Sequence, residues 1–495
     1  MGLGRMEVTP QLAKHSPAES RPPSRRAGLS LLLIVLLALA GCAKHYVNEP
    51  LDALDLKTGY RYLNQPPKKS ENMLLIVAFS GGGTRSSSLG YGVLQELART
   101  EVVIDGTKRR LLDEVDVISS VSGGSFTAAY YGLFGDRIFE DFEDKFLKVK
   151  VQSKLTRKMF NPFVWPKLWS RNYNRNDMAV DLYNKLIFED KTFADLADRK
   201  EGPFIIINAS DMAIGTRWEF TQDQFDLICS DLSKFPIARA VMASSAVPGA
   251  FGTILLNNQS KACGNKTAAW VTDFFSNPDA TFRMRNSAGE AKTYADPKRH
   301  YIHLVDGGIT DNIGIRSILD MALRQQVVQN NILLERAAMM ERVVVVVVDA
   351  HVEKESKLGQ KRKVGLFQLI FSSATVPMNR YSYESLELFQ ETLTRMLTRR
   401  KKERAEQAKR TGGEPRPLEL YPIYLDFNNL PKKEDSDFFK TMPTAIQLKK
   451  PSDVNRLATM AADALGRSTE YQRLLKDLGA TVKPRPEPKT EEPEN

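Results

Sequence analysis

The chain has 495 residues, 42% of them hydrophobic, and 70 Lys and Arg against 60 Asp and Glu give a formal net charge of +10. That composition excludes a chain too polar to bury a core; it fits one large α/β domain with additions, or two to four smaller domains. The basic balance favours anionic partners, either nucleic acid or anionic lipid headgroups, and does not choose between them.

The N-terminus does choose. Arg21, Arg25 and Arg26 precede an apolar run from Leu29 to Ala40. Its length suits the core of a signal peptide and is too short to span a bilayer comfortably. The run ends in Leu39-Ala40-Gly41-Cys42, which resembles a bacterial lipoprotein cleavage box. The resemblance implies a signal peptide over 1–41 and lipidation of Cys42 as the mature N-terminus. Ala43 after the cysteine implies sorting to an outer membrane, facing the periplasm. The alternative is an uncleaved signal anchor with an incidental cysteine. Export disfavours nucleic acid as a partner and leaves Cys229 and Cys263 in an oxidising compartment, as a disulfide or as two small hydrophobes.

Residues 42–70 have little periodicity and read as a tether. Met73 to Phe79 is a continuous apolar run bounded by turn residues, which predicts a buried strand. Ser88 to Arg99 has helical spacing. Val115 to Val121 predicts a second strand, and the helix that follows carries Phe126 to Phe134. Pro203 to Ser210, Tyr301 to Val305 and Arg342 to Ala350 are further strands. Strands alternating with helices predict a mainly parallel sheet covered on both faces, a three-layer α/β/α core over residues 71–351. Residues 352–363 are charged and read as a loop. Residues 364–411 and 454–478 read as helices, making 352–480 a helical C-terminal extension. The Pro- and Glu-rich tail over 481–495 predicts disorder.

Three small-residue motifs end predicted strands. Ser80-Gly81-Gly82-Gly83-Thr84-Arg85 follows the first strand and opens a helix. Successive glycines let backbone N–H groups converge on one point, and a helix N-terminus there favours an anion, either a phosphate or a developing oxyanion. The dinucleotide fingerprint fails because Ser86 stands three residues after Gly83. The Walker pattern fails because no Gly-Lys-Ser/Thr follows. Ser120-Val121-Ser122-Gly123-Gly124 has the small-x-Ser-x-Gly form of a nucleophile elbow, with Ser122 at its tip. Asp306 ends the strand Tyr301 to Val305 and precedes two glycines, at the kind of strand end where sheets collect active sites.

In this order the three motifs resemble the patatin-like phospholipase family, over roughly residues 72–350. Ala238 to Phe251, a Ser/Ala-rich helix ending in Pro-Gly, adds to the likeness. The resemblance implies that Gly81, Gly82, Gly83 and Arg85 form the oxyanion loop, that Ser122 is the nucleophile, and that Asp306 completes a Ser–Asp dyad. Ser120 stands where the elbow usually has glycine, and Ser86 where a glycine usually follows the loop arginine. Arg85 is expected to orient the loop, to meet substrate phosphate, or to sit in a surface ion pair.

The chemistry also follows from elimination. A serine hydroxyl needs a base to take its proton and donors to hold the oxyanion. Of five histidines, His15 lies in the signal region and His45 in the tether. His300 and His303 precede Asp306, and in an extended strand His303 lies about 10 Å from it on the opposite face. His351 ends the strand Arg342 to Ala350 and is the one histidine placed to approach the site as a third member. A carboxylate is a weak base unless an apolar pocket desolvates it. No metal and no cofactor enter this chemistry.

Residues 392–410 hold eight Lys or Arg against two Glu, either a helix resting on anionic lipid or a solvated helix end. Phe160, Phe163, Trp165 and Trp169 cluster as pocket, membrane-facing lid or plain packing. The expectation is a lipid-anchored acyl hydrolase acting on phospholipid or another acyl ester. The alternatives are a catalytically silent envelope lipoprotein that binds lipid or a partner protein, and a thioesterase or lysophospholipase with the same dyad.

Overall fold

The computed structural model describes residues 46–65, 70–168, 173–264, 267–327, 340–352, 363–428 and 430–485. Cys42, the apolar run before it, His15, His45, Trp169 and the last ten residues lie outside them, as does most of the loop expected over 352–363.

The sheet is built from the apolar runs the sequence announces. Its strands are β1 (Met73–Phe79), β2 (Val115–Val121), β3 (Phe204–Asp211), β4 (Thr216–Glu219), β5 (Ile254–Asn257), β6 (Tyr301–Asp306), β7 (Arg342–Asp349) and β8 (Glu419–Asp426). Their order is β8-β7-β1-β2-β3-β6-β5, with β4 also paired to β3. β1, β2 and β7 are buried along nearly their whole length, as expected of strands covered by helices on both faces. The helices that concern the site are α1 (Thr84–Arg99), α2 (Gly123–Phe134), α3 (Ile237–Ser244), α4 (Leu366–Thr411) and α5 (Pro451–Arg467).

Three features depart from the sequence reading. First, the sheet is mixed. β8, β7, β1, β2 and β3 run parallel, but β6 is antiparallel to both β3 and β5. Second, the region after residue 351 is largely helical yet supplies β8, which pairs with β7 along its full length. Its burial alternates, and it carries Pro422, which an edge strand tolerates because the outer N–H has no partner to lose. Third, residues 46–65 are not a slack tether. Asn48 donates to Ser230 Oγ at 2.8 Å and to Asn257 O at 3.0 Å. Tyr60 is buried and donates to Ile205 O at 3.2 Å. Arg61 bridges Asp223 and Asp226. These partners are more than 140 residues away in sequence, so local periodicity carries no sign of them.

Cys229 and Cys263 are joined as a disulfide, with Cα atoms 6.0 Å apart. Five of the eight basic residues over 392–410 have partners within the protein. Arg395 pairs with Glu391, Arg399 and Arg400 with Glu403, and Lys401 with Glu419. Arg404 is buried and donates to Pro417 O at 2.7 Å. That pattern is a solvated, ion-paired helix end. No helix among the described residues is long and apolar enough to cross a membrane.

Candidate active site

Strand register brings the site together. Val121 at the end of β2 pairs with Asn208 of β3. The next residue of β3, Ala209, pairs with Asp306 at the end of β6. Asp306 therefore stands level with Ser122, one strand beyond β3. Because β6 pairs only with the last three residues of β3, an antiparallel strand delivers its C-terminal carboxylate to the rim where the parallel strands end.

Ser122 occupies a strained turn, φ 50° and ψ −119°, a left-handed conformation that L-residues other than Gly, Asn and Asp rarely adopt. Its N–H donates to Ser244 Oγ at 2.8 Å. Ser244 Oγ in turn donates to Asn208 O and lies 3.0 Å from Ser125 Oγ. α3 thus fastens the elbow from the side. The substituted elbow position explains itself: Ser120 is fully buried and its hydroxyl donates to Ile206 O at 3.0 Å, so a small polar side chain fits without an orphaned group.

Ser122 Oγ donates to Asp306 Oδ2 at 2.9 Å, and Gly308 N–H donates to Asp306 Oδ1 at 2.8 Å. Both residues are buried, 8% and 7% exposed. Burial pushes the Asp306 carboxyl up to about 6, against the lowering pull of the Gly308 N–H and the Ser122 hydroxyl. Among the described residues no histidine ring is hydrogen-bonded to Ser122 or Asp306. His303 Nδ1 lies 3.2 Å from Thr253 Oγ1. The backbone of His351 is tied to Asp349 and Asn428. The pair Ser122–Asp306 can pass a proton from hydroxyl to carboxylate directly.

The glycine loop lies against the elbow. A Cβ on Gly123 would come within 2.0 Å of Gly83 O, so the two turns are pressed backbone to backbone. Gly81 N–H does not point into the site. It donates to Asn312 O at 2.8 Å, and Asn312 Oδ1 fills the place a Cβ on Gly81 would take, 2.4 Å away. Of the expected three-amide cradle Gly81 is thus removed, while Gly82 and Gly83 have φ values of 150° and 63° that suit glycine. Ser86 closes the loop from behind by donating to Ser80 O.

Arg85 is 3% exposed and, among the described residues, makes no surface ion pair. Its Nε donates to Ala350 O, Nη1 to Met442 O and Nη2 to Thr444 Oγ1, at 2.9, 2.9 and 3.1 Å. Ala445 O accepts the Thr84 N–H at 2.8 Å, and a Cβ on Gly83 would strike that oxygen. The segment Met442 to Ala445, far along the chain, therefore clamps the glycine loop, and Arg85 is the bolt. Replacing Arg85 by Met leaves buried carbonyls unpaired, at about 1–3 kcal/mol for each. The variant is expected to unfold several degrees lower and to lose at least tenfold in kcat with KM little changed; steady-state rates on a soluble ester and a thermal melt check both.

Sequence reasoning missed Asn312, Gly308, Ser244 and the 442–445 clamp. Gly308 is the second of the two glycines after Asp306, Asn312 follows four residues later, and Ser244 lies inside Ala238 to Phe251, but their partners are set by folding. A cavity of about 300 Å³ lined by Arg217, Arg283, Arg316, Trp270, Tyr294 and Tyr381 borders Ile309 and Thr310. A second, of about 180 Å³, lies between α4 and strands β7 and β8. Neither includes Ser122 or Asp306.

Residues 77–319 match the family model described as patatin-like phospholipase. No curated protein matches the chain. Among solved structures, human GIVD cytosolic phospholipase A2 is similar with a TM-score of 0.43 and 13% identity, over 92% of this chain and 66% of that one. The same human protein in complex with methyl gamma-linolenyl fluorophosphonate gives 0.37 and 12%, over 90% and 63%. With terbium chloride also present it gives 0.38 and 12%, over 83% and 59%. The chain spans just under two thirds of the length of these neighbours, and likeness of that degree carries no argument about substrate. With the glycine loop, the elbow and the Asp-Gly-Gly turn all falling inside the matched residues, the chain carries a patatin-like phospholipase domain over residues 77–319.

Proposed function

We propose that this chain is a lipid-anchored acyl hydrolase that cleaves phospholipid esters through Ser122 and Asp306. The observation that carries the reading is the 2.9 Å bond from Ser122 Oγ to a buried, desolvated carboxylate. In the first half-reaction Asp306 takes the Ser122 proton as Oγ bonds to the ester carbonyl carbon. The tetrahedral oxyanion is held by the N–H groups of Gly82 and Gly83 and by the positive end of α2. The C–O bond to the glycerol breaks, and the proton on Asp306 passes to the leaving alkoxide. Water then attacks the acyl-serine, its proton again taken by Asp306; the bond from Ser122 Oγ to the acyl carbon breaks, Asp306 gives the proton back to Oγ, and free fatty acid leaves. Each good oxyanion donor supplies about 3–4 kcal/mol.

The anchor belongs to the same reading: Cys42 acylated, the domain held at the outer membrane and facing the periplasm. The Cys229–Cys263 disulfide accords with an oxidising compartment.

The carboxyl near 6 sets the pH dependence. Asp306 can accept a proton only when ionised, and its pKa lies above the ordinary carboxylate range, so kcat/KM should rise with pH through a midpoint of about 6 and then level off. The test is fatty-acid release from phospholipid vesicles, followed by product identification across pH 4.5–8. A flat profile, or one that falls as pH rises through 6, contradicts Asp306 as the base.

A further inference from the structure

The stretch 150–168 holds five basic residues and no acidic one. In its helix, Val151–Met159, the inner face is Val151 and Leu155, both buried. Lys154, Arg157 and Lys158, at helical spacing, share the other face, and among the described residues none of them has a carboxylate within ion-pair reach. The turn that follows presents Phe160, Phe163 and Trp165 at 69%, 89% and 42% exposure. Three large aromatics exposed together are costly in water, and solvent-facing basic residues beside them repel a basic partner and attract an anionic one.

The segment is tied to neighbours of the elements that hold the site. At its start, Ser153 N–H donates to Gln447 Oε1 at 3.1 Å, and Gln447 lies two residues beyond Ala445, the residue that clamps Gly83 and Thr84. Near its end, Lys167 lies 4.1 Å over the ring of Tyr173, and in the helix Arg175–Tyr183 Asn176 Nδ2 donates to Gly252 O at 2.8 Å, six residues past Ala246, whose carbonyl takes the Asp306 N–H at 3.0 Å. The chain from the N-terminus arrives at the same place. Arg239 pairs with Asp177 at 2.6 Å and lies 4.4 Å over the ring of Tyr46. Four residues separate Tyr46 from Cys42, at most about 14 Å of extended chain.

We propose that Phe160, Phe163 and Trp165, with the basic face of Val151–Met159, dock on an anionic lipid bilayer and hold the site's mouth against it. The rings enter the headgroup boundary, and the lysines and arginines stay at the anionic surface, each adding about fivefold to the binding constant. An acyl group on Cys42 would insert beside this surface, yet the surface acts whether or not that cysteine is acylated.

The test reads the surface itself and needs no turnover. In the full chain carrying Cys42→Ala, Phe163→Cys is labelled with an environment-sensitive fluorophore while Cys229 and Cys263 stay bonded. The control is Val103→Cys, in the strand Thr100–Ile104 that follows α1; α1 itself runs roughly 24 Å from the glycine loop to that strand. Phosphatidylglycerol vesicles are expected to blue-shift the label at 163 and not at 103. Pure phosphatidylcholine should need at least tenfold more lipid. Lys154→Glu with Arg157→Glu and Lys158→Glu should weaken the response by about 100-fold or more. No shift at 163, equal shifts at both positions, or equal response to the two lipids would overturn the proposal. So would a label already shifted without lipid in proportion to protein concentration, which would assign the surface to a second copy of the chain.

Discussion

Alanine at position 122 is expected to lower ester hydrolysis by about 10³-fold or more while leaving the protein folded. The hydroxyl is the only group in the site placed both to attack a carbonyl and to give its proton to Asp306. Its removal leaves the oxyanion donors in place, which is why a residue of catalysis over water can persist. The backbone of the elbow is held by Ser244 through the Ser122 N–H, a bond that alanine keeps. Asp306 loses one of two donors and retains Gly308 N–H, so stability should change by no more than about 1–2 kcal/mol. Initial rates on a short-chain ester, beside a thermal melt, separate lost chemistry from lost fold.

The second large effect is expected at Asp306. Asparagine there keeps the shape and the acceptor for Gly308 N–H but cannot take a proton, and a loss of about 10²–10⁴-fold in kcat follows. Stability moves the other way. The folded-state pKa of Asp306 lies near 6, above its ordinary 3.8, so keeping the ionised form in the fold carries a cost that is complete above pH 6. That cost fades as pH falls from 6 toward 4, where the folded protein takes up its proton first. The Asn variant escapes it and should melt no lower than the parent at pH 7.5, by a margin of up to about 3 kcal/mol. An inactive variant that is at least as stable as the parent cannot be dismissed as misfolded. A variant with full activity would require another base.

Much of this was legible in the sequence, for definable reasons. β1 and β7 are near-continuous apolar runs, because strands buried on both faces have no polar side to interrupt the pattern. The elbow and the Asp-Gly-Gly turn could be read because tight approach at a strand end admits few side chains. What escaped was set by distant partners. β8 is interrupted by Pro422 and alternates like a one-faced strand, so nothing local assigns it to the edge of a parallel sheet. Residues 46–65 read as a tether because the residues that tie them to the domain, Ser230 for Asn48, Ile205 for Tyr60 and Asp223 and Asp226 for Arg61, lie more than 140 positions away. Gly81 looked like an oxyanion donor until folding brought Asn312 O to its amide. The family match ends at residue 319, yet β7, β8 and the 442–445 clamp complete the sheet and the glycine loop from beyond it.

Reaction of the purified chain with a fluorophosphonate, followed by mass spectrometry of the modified peptide, tests the central claim most directly. A phosphonyl adduct should form on Ser122, disappear in Ser122→Ala, and form at least about 100-fold more slowly in Asp306→Asn. An adduct on another serine, or labelling of Ser122 at an undiminished rate without the Asp306 carboxylate, would contradict a nucleophile activated by that carboxylate.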